Sequence, residues 1–277
     1  MQKETDFREL FRSGRLVTDG AMGTYYREIY GGGSRFPELD NVAAPEKIEA
    51  IHREYIRAGA DILRTNSFAS NTETLSQTWG EAAGEAIEKE APGRPVYIAG
   101  DIGSIPEHGS GEEEAGEQEI LEEYKTIAKV HLDAGVKLIW FETFSDFKRI
   151  LPVARWIRSV SDAFIMASFS VNMYGYTNAG LGAADLVRTA RESSELDGSG
   201  FNCGVGPAHL AKVLRRQDFG DLVVFAAPNA GYADRIQNRN VYRDNILYFG
   251  EAMEEIAGLG VNIIGGCCGT SPAYIRQ

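Results

Sequence analysis

The chain is poor in cysteine and in basic residues, and it has no long apolar run. Three cysteines among 277 residues cannot all pair within the chain, and reduced cysteines are more often ligands or nucleophiles than disulfide partners. The net charge of -12 disfavours nucleic acid and anionic lipid as partners, because an acidic surface repels phosphate groups. Since we find neither a run of bilayer length nor a signal peptide in residues 1–12, we expect a cytoplasmic protein without a membrane segment.

What the chain does contain is a regular alternation of short apolar runs with longer segments of helical period. Each apolar run fits a buried strand, and the segments between the runs carry apolar residues three and four positions apart. The strands are predicted at 15–19, 61–66, 95–101, 136–142, 163–171, 199–203, 221–227 and 261–266. Helices are predicted from Pro45 to Ala58, over about 72–90, and in each later interval between strands.

Strands and helices that alternate in this way indicate an α/β protein with a single (β/α)8 TIM barrel. An open, doubly wound sheet would need a GxGxxG turn after the first strand, and residues 19–24 lack that spacing. No linker-like change in composition divides the chain, so we expect residues 1–277 to form one domain. The eighth helix is barely begun at 271–277 and is predicted to be short or truncated. Between the first strand and Pro45 we predict a long loop rich in glycine and aromatic residues.

Polar residues concentrate where the predicted strands end, which is where catalytic groups lie in this fold. Cys203 ends the sixth strand, and the neighbouring Cys267 and Cys268 follow the eighth, so the three thiols should converge on one rim. Three thiolates suit zinc, and a catalytic zinc keeps a fourth position for water or substrate. A redox pair at the adjacent cysteines is a weaker alternative. The other polar residues at strand ends are Asp19, Asn66, Asp101, Glu142, Asn172 and Asn229.

Six segments of the chain resemble the homocysteine S-methyltransferase family. That family includes the homocysteine-binding module of cobalamin-dependent methionine synthase, and the betaine and S-methylmethionine enzymes. The segments are Asp-Gly-Ala-Met-Gly-Thr at 19–24, Gly-Ala-Asp-Ile-Leu-Arg-Thr-Asn-Ser-Phe at 59–68, Phe-Glu-Thr-Phe-Ser-Asp at 141–146, Asn-Cys-Gly-Val-Gly-Pro at 202–207, Pro-Asn-Ala-Gly at 228–231 and Gly-Gly-Cys-Cys-Gly-Thr at 265–270.

The resemblance implies a zinc-dependent enzyme that transfers a methyl group to the thiol of homocysteine and so forms methionine. Cys203, Cys267 and Cys268 match the Zn2+ ligands. Asp19 and Glu142 match carboxylates that hold the amino group of homocysteine.

The resemblance further implies that backbone amides after Gly20, around Ala21 and Met22, receive the substrate carboxylate. Asn66 and Asn229 are expected to line the site.

The methyl donor and the partner are left open by the sequence. A methylcorrinoid, a sulfonium and a methylammonium compound all remain candidates, and we find no Asp-x-His-x-x-Gly segment, so a corrinoid would arrive on a separate protein or domain. The acceptor is homocysteine or a close thiol. The alternative function is a non-catalytic or auxiliary barrel that binds zinc and a thiol and partners a methyl-carrier protein.

Overall fold

The computed structural model of the chain is built around a barrel of eight parallel strands. It describes residues 5–31, 36–70, 79–91, 93–105, 116–236, 239–242 and 245–277. The strands are β1 Leu16–Val17, β2 Ile62–Arg64, β3 Tyr97–Gly103, β4 Leu138–Phe144, β5 Phe164–Phe169, β6 Gly198–Asn202, β7 Val223–Ala227, an antiparallel hairpin of β8 Asp234–Ile236 and β9 Arg239–Val241, and β10 Ile263–Ile264.

Helices occupy the connections between the barrel strands. They are α1 Phe7–Ser13, α2 Met22–Tyr30, α3 Asp40–Ala43, α4 Pro45–Ala58, α5 Trp79–Glu90, α6 Glu117–Asp133, α7 Ile150–Val160, α8 Ala183–Glu192, α9 Pro207–Leu214, α10 Ile246–Gly258 and α11 Pro272–Arg276. A 3-10 turn at Pro37–Leu39 precedes α3. Within the described residues, no helix is long and apolar enough to span a membrane.

The strand order confirms the predicted barrel. The strands pair in the order β1, β10, β7, β6, β5, β4, β3, β2, and every one of these pairs is parallel. The two ends of this order meet through a parallel bridge between Thr18 and Ile62, and the amide of Asp19 donates to the carbonyl of Ile62 at 3.0 Å. All eight predicted strands are present, and the eighth helix is the short α11.

Side chains alternate between the barrel interior and the surrounding helices, as the two-residue period of a strand requires. In β4, Leu138 and Trp140 pack with the interior cluster, while Ile139 and Phe141 pack with the cluster under the helices. Both faces are buried, which explains why the parallel strands are continuously apolar in sequence. The same period sets which residues face inward at the carboxyl ends of the strands.

The structure contains two elements that the sequence patterns did not predict. Helix α1 lies against the amino ends of the strands, where Phe11 packs edge-on to Phe164 with ring centroids 4.9 Å apart. The β8–β9 hairpin, after β7, was also not predicted.

The predicted loop between the first strand and Pro45 is wrong over residues 22–30, which form α2, and over residues 37–43, which form the 3-10 turn and α3. Gly23 and the three tyrosines of α2 hid its helical period, and tertiary contacts decide the conformation: Tyr26 is buried and hydrogen-bonds Asp40. The helix predicted over 72–90 is confirmed from Trp79 onward, and residues 71–78 lie outside the described part of the chain.

Replacing Phe11 by alanine should lower the free energy of unfolding by about 3–5 kcal/mol, because a fully buried aromatic ring is removed from the closed end of the barrel. Urea denaturation followed by circular dichroism measures the change. The exposed Glu9 on the same helix is the control, and Glu9→Ala should change stability by less than about 1 kcal/mol. A loss no larger than that of Glu9→Ala would show that α1 does not contribute to the core.

The buried His52 should make the fold less stable as the pH falls. Burial lowers the pKa of His52 from 6.5 to about 4, and its ring nitrogens have no hydrogen-bond partner among the described residues. Between those two values the unfolded chain binds a proton that the folded protein excludes, so stability is lost on acidification by up to about 1.4 kcal/mol per pH unit. In His52→Leu and His52→Gln, denaturant titrations from pH 7.5 to 4 should show a slope that is smaller by this amount. An unchanged slope in both variants contradicts the assignment.

Candidate metal and substrate site

A layer of polar side chains covers the carboxyl end of the barrel interior. Counting by twos from the apolar interior residues Ile62, Ala99 and Trp140 leads to Arg64, Asp101 and Glu142. The same count along β5 and β6 leads to Ser168 and Asn202. These five polar residues are all buried, so the apolar core ends in a polar floor.

Above this floor lies a cavity of about 490 Å³. It brings together most of the residues predicted from the sequence, including both carboxylates and all three thiols. Its lining includes Asp19, Gly20, Ala21, Met22, Arg64, Asn66, Asp101, Glu142, Cys203, Cys267 and Cys268. Asn229 is not among the described residues that line the cavity. It is buried and lies two residues after the end of β7.

The three cysteine sulfurs form one cluster at the side of the cavity. They all lie within 4.8 Å of one another, and the sulfurs of Cys203 and Cys268 are 3.9 Å apart. Thiolates bound at about 2.3 Å to a tetrahedral zinc ion are about 3.8 Å from each other. The spacing of the described thiols therefore fits a three-cysteine zinc site, and all three cysteines are free of disulfides.

The surroundings of the thiol cluster oppose its ionisation. The contact with Cys267 lowers the pKa of Cys203, but the contact with Cys268 and burial outweigh it and raise the pKa to about 12. For Cys268, the contact with Cys203 lowers the pKa. The contact with Cys267, the charge of Cys267 and burial outweigh that effect and raise the pKa of Cys268 to about 12. Neighbouring thiolates repel one another, so the cluster ionises only with a compensating positive charge. A bound metal ion supplies such a charge.

Backbone turns that follow β6 and β10 hold the three cysteines in place. Cys203 follows β6 with a positive φ of 57°, a conformation that turns the chain sharply at the strand end. The Cys267–Thr270 turn is closed by the amide of Thr270, which donates to the carbonyl of Cys267 at 3.1 Å. The Cys267 amide itself donates to the carbonyl of Pro228 at 2.9 Å, so the turn is fixed to the end of β7.

Two buried hydroxyl groups join this turn to the loop after β1. The Thr270 hydroxyl accepts from the amide of Ala21 at 3.1 Å and donates to the carbonyl of Cys267 at 2.7 Å. The Tyr55 hydroxyl contacts the carbonyls of Ala21 at 2.9 Å and Thr270 at 3.2 Å. No side chain fits at Gly20, where a Cβ atom would lie 2.7 Å from the Thr270 hydroxyl. The loop after β1 and residues 265–270, which we call the metal loop because they carry two of the candidate metal ligands, are therefore one packed unit.

The carboxylates of Asp19 and Glu142 are joined by Arg64, which the sequence analysis did not identify. Its Nε donates to Asp19 Oδ1 at 2.8 Å, and its Nη1 donates to Glu142 Oε1. Its Nη2 donates to the backbone carbonyls of Asp19, Gly20 and Gly266 at 3.1, 2.9 and 2.8 Å. Burial disfavours the charged form of Arg64. The negative charges of Glu142 and Asp19 outweigh burial and raise the pKa of Arg64 above its usual value.

Glu142 also interacts with two more polar side chains of the floor, Asn202 and Asp101. Asn202 donates to Glu142 Oε1 at 3.1 Å and to the sulfur of Cys267 at 3.7 Å, so one amide connects the carboxylate with the thiol cluster. Asp101 is buried, and burial together with the negative charge of Glu142 raises its pKa well above the usual value. Burial and the neighbouring Glu142 thus favour the neutral form of Asp101.

The amino end of α2 faces the cavity with its first backbone amides. Ala21 is the residue before the helix, and its own amide is already donated to Thr270. The next amides, at Met22, Gly23 and Thr24, have no partner within the helix, and these residues line the cavity. A helix amino terminus of this kind attracts a carboxylate. The predicted carboxylate position thus shifts from Ala21 toward Met22 and the following amides.

The predicted asparagines have different surroundings. The Asn66 amide donates to the carbonyl of Pro37 at 3.0 Å and to Asn41 Oδ1 at 2.9 Å, so this cavity residue also fixes the segment before α4. The Asn229 side-chain oxygen is buried and has no hydrogen-bond partner among the described residues. Asn172 caps its own loop, since its Oδ1 accepts from the amide of Tyr174 at 2.9 Å.

Replacing Arg64 by glutamine should lower the free energy of unfolding by about 3–5 kcal/mol, because two buried carboxylates lose their cation. Arg57 is the matched control: it pairs with Glu90 but is half exposed, and Arg57→Gln should cost less than about 1 kcal/mol. Chemical denaturation at pH 7 measures both. Equal losses in the two variants would contradict a structural role for the buried pair.

Comparison with known proteins gives one consistent family. The model of the family described as homocysteine S-methyltransferase matches residues 16–277. A methionine synthase of Mycobacterium tuberculosis (strain ATCC 25618 / H37Rv) is 29% identical over 308 residues, covering 99% of this chain and 25% of that protein. A methionine synthase of Mycobacterium leprae (strain TN) is 28% identical over 307 residues, covering 100% of this chain and 25% of that protein. The chain spans about a quarter of the length of these relatives.

Solved structures show the same barrel. The metallated form of the homocysteine methyltransferase MmuM from Escherichia coli aligns with a TM-score of 0.74 and 21% identity, covering 98% of this chain and 97% of that chain. Its oxidised form aligns with a TM-score of 0.73 and 22% identity, covering 95% and 94%. At this identity the structural match concerns the fold. The match of the family model over nearly the whole chain places it in the homocysteine S-methyltransferase family.

Proposed function

We propose that this protein is a zinc-dependent enzyme that transfers a methyl group to the thiol of homocysteine and so forms methionine. The observation that carries the proposal is the cluster of three thiols on the wall of a cavity that the amino end of α2 also lines. A metallated form of a homocysteine methyltransferase of the same fold supports a metal here.

Cys203, Cys267 and Cys268 would hold the zinc ion. When bound, zinc supplies the positive charge that lets a substrate thiol lose its proton and react as a thiolate near neutral pH. The ordered turn at 267–270 fixes two of the ligands before any metal binds, because its amides are already hydrogen-bonded to β7 and α2: Gly269 donates to the Thr24 hydroxyl at 3.0 Å. Three thiolates suit zinc better than magnesium or calcium, which prefer oxygen ligands.

The remaining chemistry is positioning. The amides that begin α2 would receive the carboxylate of homocysteine, and its sulfur would then lie at the thiol cluster in the same cavity. The thiol releases its proton, a new bond forms between sulfur and the methyl carbon, and the bond from that carbon to the donor breaks with its electron pair leaving on the donor. Holding the three reacting atoms in line accounts for most of the acceleration in such a displacement.

The proposal also concerns the source of the methyl group. Because the chain spans about a quarter of two methionine synthases, a methyl carrier on a separate protein is one source that fits. A sulfonium or methylammonium compound that enters the cavity directly is the other. The auxiliary function predicted as an alternative differs in one respect only, since it binds the thiol and transfers nothing.

Purified wild-type protein should contain about one zinc ion per chain, whereas Cys268→Ser should lose most of the metal and at least about a hundredfold in methyl transfer, because one thiolate ligand is gone. Metal analysis and mass-spectrometric detection of methionine, with a panel of methylcorrinoid, sulfonium and methylammonium donors, measure both quantities. Ser170→Ala, a change outside the thiol cluster, is the control. Full activity without zinc refutes the proposal, and zinc and thiol binding without turnover for any donor favours the auxiliary function.

A further inference from the structure

We propose that Arg64 occupies the place of the acceptor's ammonium group, so that the cavity binds thiol carboxylic acids without an amino group about as well as it binds homocysteine. The inference rests on the proposed function, because it concerns the acceptor in the same cavity. It makes Arg64 a residue that determines specificity.

The oxygens that would receive an ammonium group are already hydrogen-bonded. Asp19 Oδ1 accepts from Arg64 Nε at 2.8 Å and from the Thr18 hydroxyl at 3.1 Å, and Asp19 Oδ2 accepts from the backbone amide of Arg64 at 3.0 Å. Glu142 Oε1 accepts from Arg64 Nη1 and from the amide of Asn202. Three of the four carboxylate oxygens are therefore engaged before any substrate enters.

Arg64 cannot easily leave this position. Its Nη2 donates to three backbone carbonyls, from the loop after β1 and from the start of the metal loop at Gly266. A guanidinium group stays protonated, so an ammonium group placed beside it would meet a fixed like charge. Moving the side chain aside would leave the carbonyls and both carboxylates buried without donors, which is costly.

The rest of the cavity suits a carboxylate and a thiol. The amino end of α2 favours a carboxylate, and the thiol cluster provides for the sulfur. A ligand with a thiol at one end and a carboxylate at the other satisfies both features. The compound 4-mercaptobutanoate is homocysteine without its amino group, so comparing the two isolates the amino group's contribution to binding.

Besides the fourth carboxylate oxygen, Glu142 Oε2, two buried carboxyl oxygens could compete for an ammonium group. Asp101 Oδ1 and Glu38 Oε2 line the cavity, and both are buried without a hydrogen-bond partner among the described residues. Burial and the neighbouring Glu142 raise the pKa of Asp101, which favours its neutral form. Glu38 uses its other oxygen to accept from the amide of Ala69 at 3.1 Å. If either residue holds the amino group, homocysteine will be strongly preferred and Asp101→Asn or Glu38→Gln will remove the preference.

The test is calorimetry of the zinc-loaded protein with homocysteine and with 4-mercaptobutanoate, without any methyl donor. We expect the two dissociation constants to agree within about fivefold, whereas sites built to hydrogen-bond a substrate group discriminate by about 10⁴-fold. A larger preference for homocysteine overturns the inference but leaves the proposed function intact. If neither thiol binds, both the inference and the proposed function fail.

Variants of Arg64 provide the second readout. Arg64→Gln releases the two carboxylates, so the preference for homocysteine should rise to at least about tenfold. Arg64→Lys keeps the charge and should keep the wild-type ratio. Circular dichroism and zinc content report whether each variant folds, and if Arg64→Gln does not, the wild-type ratio and Arg64→Lys decide. An unchanged ratio in folded Arg64→Gln contradicts the role of Arg64.

Discussion

The ion pairs of Arg64 are the interaction on which the rim of this barrel depends. One guanidinium on β2 reaches the end of β1 through Asp19, the end of β4 through Glu142 and the start of the metal loop through the Gly266 carbonyl. A buried charge without a partner is far more expensive than a buried charge that is paired and hydrogen-bonded. The carboxylates that resemble substrate ligands are therefore also structural, and the position of the metal loop follows from the same side chain.

The site separates into two regions that differ in how their charge is compensated. The carboxylates have a protein cation, Arg64, and burial with the neighbouring Glu142 raises the pKa of Asp101 beside them. The floor side chain that contacts Cys267 is the neutral amide of Asn202, and the charge of Arg64 also reaches Cys267 but is directly paired with Asp19 and Glu142. In the proposed function, a metal ion at the thiols would therefore not compete with Arg64 for its partners.

The sequence predicted the barrel because its strands are buried on both faces and separated by helices that end in glycine, and both signals are local. It placed the three cysteines on one rim because strand ends in this fold share an edge. Arg64 was not predicted as a site residue because it lies inside the predicted strand 61–66, and we considered only residues at strand ends. Its inward direction follows from the two-residue count from Ile62, but its partners come from three distant segments. Helix α2 was not predicted for a similar reason, because it is stabilised by tertiary contacts such as that of Tyr26 with Asp40.

The closed end of the barrel restricts how the reaction can be arranged. Phe7 and Phe11 fill the amino ends of the strands, so among the described residues the interior offers no passage from below. In the proposed reaction, acceptor and donor would therefore both enter from the rim. The thiol cluster and the amino end of α2 would hold the acceptor, and the part of the cavity that neither of them occupies would be left for the methyl donor.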